Sequence, residues 1–182
     1  MTPSDFDIQG PRLFKLKSFA DARGFFSERF REDRFAEAGL NAKFVQENFS
    51  KSKPGVLRGL HFQYSPAQGK LITCLSGKVW DVAVDIRRAS PTFGKHISVV
   101  LDSDEPCWLW LPPGFAHGFC VISSEPAGVL YKTDSYYAPS GEAGICWNDK
   151  DLNIPWPLAK PILSDRDSVL MSFKEYQSQP RF

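Results

Sequence analysis

The chain has 182 residues, 42% hydrophobic and 24% charged, the balance of one globular domain over 1–182 and not of a disordered chain. Its 22 basic and 21 acidic residues leave a net charge of +1, so no global field draws it to nucleic acid or an anionic membrane. No apolar run approaches the roughly 18 residues that cross a bilayer. The opening MTPSDFDIQGPRLF, acidic and broken by Pro3, Gly10 and Pro11, does not read as a signal peptide, and four cysteines without a CxxC read as reduced, partly buried thiols of a cytoplasmic protein.

Aromatic residues make up 14% of the chain, and 13 Gly and 14 Pro punctuate it, a pattern of short strands and tight turns. RLFKLKSF (12–19) alternates as a half-exposed strand, DARG (21–24) is a turn, and FFSERF resumes an extended pattern. REDRFAEAG (31–39) is the best helix, with early acidic residues, Phe35 and Ala38 three apart, and Gly39 as a stop. GKLITCL (69–75) reads as a strand leading into the turn Ser76-Gly77-Lys78. VWDVAVDIR then alternates, with Trp80, Val82, Val84 and Ile86 on one face and Val79, Asp81, Ala83, Asp85 and Arg87 on the other. HISVVLD, CWLWLPPG, GFCVIS and GVLYKTDSYY continue as strands. The tail beyond Trp147 is Pro-rich and predicts a helix over SDRDSVLMSFKEY, capped by Ser164 or Asp165. Strands without a βαβ rhythm predict an antiparallel sandwich or barrel.

The histidines are His61, His96 and His117. His96, at a strand start, reads as structural. His61 lies in VLRGLHFQY, where Gly59 permits close backbone approach and strand periodicity puts Gly59, His61 and Gln63 on one face. Pro112-x-Gly114-x-x-His117 fits the PxGxxH second motif of a cupin, but His61-Phe62-Gln63 stands where the metal-binding HxH would be. That leaves too few ligands for an iron, manganese or zinc site, so the expectation is no metal and chemistry by side-chain acids and bases.

ARGFFSERF, QENFSKSKPGVLRGLHFQ, GKVWDVAVDIRRASPTFG, LPPGFAHGF, YKTDSYYAPSGEAGICWND and ILSDRD, in this order from about Arg12 to Asp167, resemble the dTDP-4-dehydrorhamnose 3,5-epimerases. The resemblance implies an all-β cupin-type antiparallel jelly roll with a few short peripheral helices. It also implies a homodimer without metal or cofactor, converting dTDP-4-dehydro-6-deoxy-D-glucose to dTDP-4-dehydro-L-rhamnose for polysaccharide synthesis. A C4 ketone acidifies the hydrogens on C3 and C5, and epimerisation needs a base, an acid on the opposite face and a stabilised enolate oxygen.

By the family pattern His61 is the base, Asp167 the carboxylate that orients it, and Tyr131 the acid, although composition alone reads Tyr131 as a tyrosine on the core rim. Lys70, otherwise an exposed strand-end charge, is pointed at the C4 oxygen, and Arg58 at the diphosphate. Arg23 and Glu28, otherwise a solvated charge pair, belong to nucleotide recognition partly across the dimer interface. Gln46 and Asn48, at alternate positions, both face one pocket. His117 and Glu142 fill positions near the ligand. Tyr136 and Phe19 resemble the aromatics that stack on thymine, where the plain reading is core. Arg166 departs from the family's usual lysine, keeping the charge and changing the donor geometry. Alternatives at this point are a relative that inverts only C3 or C5, a non-catalytic sugar-nucleotide-binding jelly roll, and a metal cupin oxygenase.

Overall fold

The computed structural model describes residues 2–182. Thirteen strands run in chain order: β1 Thr2–Asp5, β2 Arg12–Lys15, β3 Phe19–Asp21, β4 Gly24–Phe26, β5 Gln46–Ser52, β6 Leu57–Gln63, β7 Lys70–Ser76, β8 Lys78–Asp85, β9 His96–Asp102, β10 Cys107–Leu111, β11 Phe115–Val121, β12 Ala127–Thr133 and β13 Glu142–Gly144. Two helices accompany them, α1 Glu32–Glu37 and α2 Phe173–Ser178. The strands form a six-stranded sheet, β1-β2-β10-β7-β12-β5, a five-stranded sheet, β13-β6-β11-β8-β9, and a separate β3–β4 hairpin. Within β5 to β12 the chain crosses between the two large sheets at every step except β8 to β9. All pairings in the large sheets are antiparallel, and this is the crossing pattern of a jelly roll.

Three apolar layers hold the sheets. The interior between them is filled by Ile72, Cys74, Val79, Ala83, Leu109, Leu111, Val121 and Val129. The outer face of the six-stranded sheet carries Phe14, Leu71, Trp108 and Trp110, covered by Phe35 and Leu40 of the α1 region. The outer face of the five-stranded sheet carries Leu60, Phe62, Val82, Val84 and Ile86, covered by Ile145, Leu152, Phe173 and Tyr176 of the C-terminal segment. Both faces of β8 are therefore apolar-packed. The alternation read from VWDVAVDIR holds, yet its polar members Asp81 and Asp85 are fully buried. Asp85 is satisfied by Arg87, Ser90 Oγ and Thr92 Oγ1 at 2.6–2.9 Å. The polar tips of the covering aromatics are also paired, Trp108 Nε1 donating to the Arg29 carbonyl at 2.5 Å and Tyr176 Oη to that of Ile86 at 2.7 Å.

Four departures from the sequence reading have local causes. The strand expected over 12–19 ends at Lys15 and resumes at Phe19, because β2 pairs with β10 while the following residues leave for the hairpin. The helix expected over 164–176 is a 3-10 turn at Asp167–Val169 followed by α2. Ser164 Oγ accepts the Asp167 N–H at 3.1 Å and so caps the 3-10 turn, whereas α2 takes a different cap. Cys146 N–H donates to the Met171 carbonyl at 2.7 Å, holding that stretch extended, and a Ser172–Glu175 capping box starts the helix. On β6, His61 faces His117 across the ladder while Arg58 faces Phe119, so an extra residue is bulged in and strict alternation fails. Arg58 and His61, three apart, consequently share a cavity, and Gln63 turns away to the Pro66 and Tyr136 carbonyls. Arg23 and Glu28 do not pair with each other. Arg23 pairs with Asp21 at 2.5 Å and Glu28 with Arg31 at 3.6 Å. The helix read over 31–39 is present as α1, with Phe35 buried and Gly39 at a φ of 84° just beyond it.

Candidate active site

Between the two sheets lies a cavity of about 150 Å³ whose walls come from both. The five-stranded sheet contributes Arg58, His61, His117 and Phe119, and the six-stranded sheet contributes Ser50, Lys70, Val129 and Tyr131. Two glycines set the backbone here. A Cβ on Gly59 would stand 2.6 Å from the Gly118 Cα and the His117 carbonyl oxygen, so only glycine lets β6 lie this close to β11. A Cβ on Gly69 would meet Trp110 at 2.4 Å. Asp134 Oδ1 accepts the Gly69 N–H at 2.7 Å and so fixes the start of β7, which carries Lys70.

Each cavity histidine holds a carboxylate. His61 Nε2 lies 2.5 Å from Asp167 Oδ1, and His117 Nε2 lies 2.8 Å from Asp81 Oδ2. Burial alone would raise the Asp167 carboxyl, but His61, Ser164 and the Gly59 N–H outweigh it, and Asp167 is held below the usual carboxylate range. An ionised Asp167 can only accept, so His61 Nε2 is the donor in this bond. Asp81 behaves oppositely: complete burial raises its pKa, against the pull of His117 and Lys70, and its Oδ1 has no hydrogen-bond partner among the described residues.

Lys70 is brought down to about 8 by desolvation, with Glu142 and Asp81 opposing the shift. Tyr131 is raised above its ordinary value by burial, with Glu142 adding to the effect. Near neutral pH the cavity thus presents an ammonium, a neutral phenol and an imidazole whose second nitrogen is anchored. Imidazole and phenol stand on opposite sheets, an arrangement that can take a proton from one side of a bound molecule and supply one to the other.

The remaining residues expected at the site fall into four groups. Gln46 and Asn48 do share one face of β5. Gln46 Nε2 donates to Asn48 Oδ1 at 3.0 Å, Asn48 sits opposite Tyr131 across the ladder, and Gln46 Oε1 accepts the Tyr137 N–H at 2.9 Å. Glu142 is bridged to Arg166 at 2.8 Å and accepts from Tyr137 Oη at 2.8 Å, tying the segment before Asp167 to β13, which pairs with β6. Tyr136 is exposed and is not a core residue.

Phe19, Arg23 and Glu28 lie outside this cavity on and beside the β3–β4 hairpin, where Phe19 and Phe26 are 61% and 69% exposed. Two polar residues of the site were not singled out from sequence, nor were the apolar lining residues Phe119 and Val129. Asp81 was signalled by a carboxylate amid the valines of VWDVAVDIR, and Ser50 by continuing the alternation of Gln46 and Asn48 one step further. Among the described residues, no group of three His, Cys, Asp or Glu side chains converges to hold a metal ion, and no helix is long and apolar enough to cross a membrane.

Residues 5–175 match the sequence model of the family described as dTDP-4-dehydrorhamnose 3,5-epimerase. The protein of that name from Shigella flexneri is 55% identical over 163 residues, covering 88% of this chain and 90% of its own length. The crystal structure of a dTDP-6-deoxy-D-glucose-3,5-epimerase from Legionella pneumophila, in complex with dTDP-4-keto-L-rhamnose, superposes with a TM-score of 0.90 at 43% identity, covering 95% of this chain and 93% of that one. A 3'-monoepimerase from Streptomyces bikiniensis in complex with dTDP-quinovose superposes with a TM-score of 0.89 at 33% identity, covering 98% and 90%.

Proposed function

This chain belongs to the dTDP-4-dehydrorhamnose 3,5-epimerase family, and we propose that its cavity inverts C3 and C5 of dTDP-4-dehydro-6-deoxy-D-glucose by enolisation, with His61 as base and Tyr131 as acid. The observation that carries the residue roles is the placement of the Asp167-anchored His61 on one sheet and the neutral Tyr131 on the other, around one cavity. His61 Nδ1 takes the proton from a carbon beside the C4 ketone, and Asp167 stabilises the imidazolium that results. Negative charge moves to the C4 oxygen, where the Lys70 ammonium stabilises it. The phenol of Tyr131 then protonates the carbon from the opposite face. Each inversion leaves a proton on His61 and removes one from Tyr131, so exchange with solvent resets both before the next. No electrons are gained or lost overall, and the step needs no redox cofactor.

Arg58, fixed by its Nε donating to Ser52 Oγ at 2.9 Å, holds the diphosphate. His117, held by Asp81, lines the same cavity as Lys70 from the opposite sheet and serves the sugar. Gln46, Asn48, Glu142, Arg166 and Tyr136 continue the site toward the nucleotide. Phe19, Arg23 and Glu28 complete the site of a second copy of this chain. Their position outside their own cavity and the exposed aromatic surface of the hairpin support a homodimer.

The test is incubation with dTDP-4-keto-6-deoxyglucose in deuterium oxide, followed by NMR. Deuterium at both C3 and C5 with formation of the L-sugar is the expected result. Incorporation and inversion at one carbon alone would assign the chain to the single-carbon epimerases, and no incorporation would overturn the reading.

A further inference from the structure

We propose that Ser50 is a substrate-contacting residue that sets sugar specificity, its hydroxyl hydrogen-bonding the C2 hydroxyl of the pyranose. This rests on the epimerase reading of the cavity given above.

The β5 strand turns Gln46, Asn48, Ser50 and Ser52 toward the interior and Glu47, Phe49 and Lys51 outward. Three of the four inward side chains are engaged. Gln46 bonds Asn48 and the Tyr137 N–H, and Ser52 Oγ accepts from Arg58. Ser50 Oγ is buried and has no hydrogen-bond partner among the described residues, and its neighbour across the ladder is Val129, which offers none. A buried hydroxyl left unpaired forfeits the hydrogen bonds it makes in water. Burial here is not burial in a dry core, since Ser50 lines the same cavity as His61, Lys70 and Tyr131. The group that satisfies it is therefore what the cavity binds.

The substrate's chemistry narrows the partner. A 4-keto-6-deoxy pyranose joined to diphosphate at C1 carries a carbonyl at C4 and a methyl at C6, so its free hydroxyls are those on C2 and C3. C3 is a reacting carbon between His61 and Tyr131. C2 lies between it and the diphosphate-bearing carbon. Ser50 has the same intermediate place along β5: one inward step away is Ser52, which holds the diphosphate-facing Arg58, and one step the other way is Asn48, opposite Tyr131. A serine hydroxyl both donates and accepts, which suits a sugar hydroxyl. Because C2 does not react, the contact is equal in ground and transition states and acts on KM, not kcat.

The experiment compares wild type, Ser50→Ala and the near-isosteric Ser50→Cys on dTDP-4-keto-6-deoxyglucose and on its 2-deoxy counterpart. On the 2-hydroxy sugar, Ser50→Ala is expected to raise KM by about tenfold, equivalent to about 1.4 kcal/mol, with kcat within about twofold. Ser50→Cys is expected to show a loss in the same direction. On the 2-deoxy sugar, wild type and both variants are expected to agree within about twofold, because the hydrogen bond is already missing. Equal losses on both sugars, or no loss on the 2-hydroxy sugar, would overturn the assignment. Failure of the epimerase reading looks different: the wild type itself would then incorporate no deuterium from solvent.

Discussion

His61 Nε2 and Asp167 Oδ1 lie 2.5 Å apart although 106 residues separate them in the chain. The bond joins a strand inside the jelly roll to a 3-10 turn in the C-terminal segment that covers its outer face. His61→Ala is expected to abolish deuterium exchange at both C3 and C5, a loss of at least about 10²-fold, because in the proposed mechanism one base serves both abstractions. Asp167→Asn should leave substrate affinity within about threefold and slow turnover by about tenfold or more, since the imidazolium loses its charged partner. Steady-state kinetics with exchange read by NMR checks both, and wild-type rates in either variant would remove the dyad from the mechanism.

Tyr131→Phe removes the phenolic proton and keeps the ring. Exchange at the carbons His61 reaches should persist while inverted product falls by about 10²-fold or more, above all at C5. Deuterium incorporation and product stereochemistry, followed in one NMR time course, give the answer. Inversion near the wild-type rate would reduce Tyr131 to a packing role.

Lys70 gives a pH signature. Its ammonium is present below about pH 8 and lost above it, so kcat/KM is expected to fall on the alkaline side near that value. Lys70→Arg, whose charge does not titrate in this range, should lose that limb, and Lys70→Met should cost about 10²-fold at pH 7. The stability effect has the opposite sign. Between about 8 and the ordinary lysine value of 10.5 the unfolded chain binds more protons at this position than the folded one, so the group's contribution to folding stability rises with pH. An alkaline loss of activity there, with a melting temperature that does not fall, separates the two.

Asp85 makes a stability prediction away from the cavity. Burial by itself would raise its carboxyl, but hydrogen bonds from Arg87, Ser90 and Thr92 outweigh it and bring the pKa down to about 2. A depressed folded value means that the stabilisation is complete above about pH 4 and is lost as the pH falls toward 2. Asp85→Asn is therefore expected to cost about 2 kcal/mol in urea unfolding at pH 7, with the gap to wild type closing near pH 2. A gap independent of pH would show that shape, not charge, matters there.

The hairpin predicts assembly. Sedimentation at micromolar concentration should give a dimer, and Phe26→Asp, placing a charge on the exposed aromatic surface beside Phe19, should shift it toward monomer and lower activity. A fully active monomer would place the whole site within one chain.

The amino-acid sequence by itself determined the class of fold and most of the cavity. Alternating apolar residues, as in VWDVAVDIR, specify strands through a local period of two, and the capped run around Phe35 specifies α1 through a local period of three to four. The motif residues His61, Lys70, His117 and Tyr131 were legible because each sits in a distinctive short segment.

What only the tertiary structure decided are relations that depend on long-range pairing. The bulge that brings Arg58 beside His61 follows from the β6–β11 register, which no local period encodes. The segment around Asp167 carries helix-forming residues, but its carboxylate is drawn to His61 and its backbone to Ile145 and Cys146, so the helix waits until Ser172. Asp81 and Ser50 stood in plain alternation with their neighbours. Their burial became visible only when the second sheet closed over them, because burial is a property of packing across the barrel and not of position along a strand.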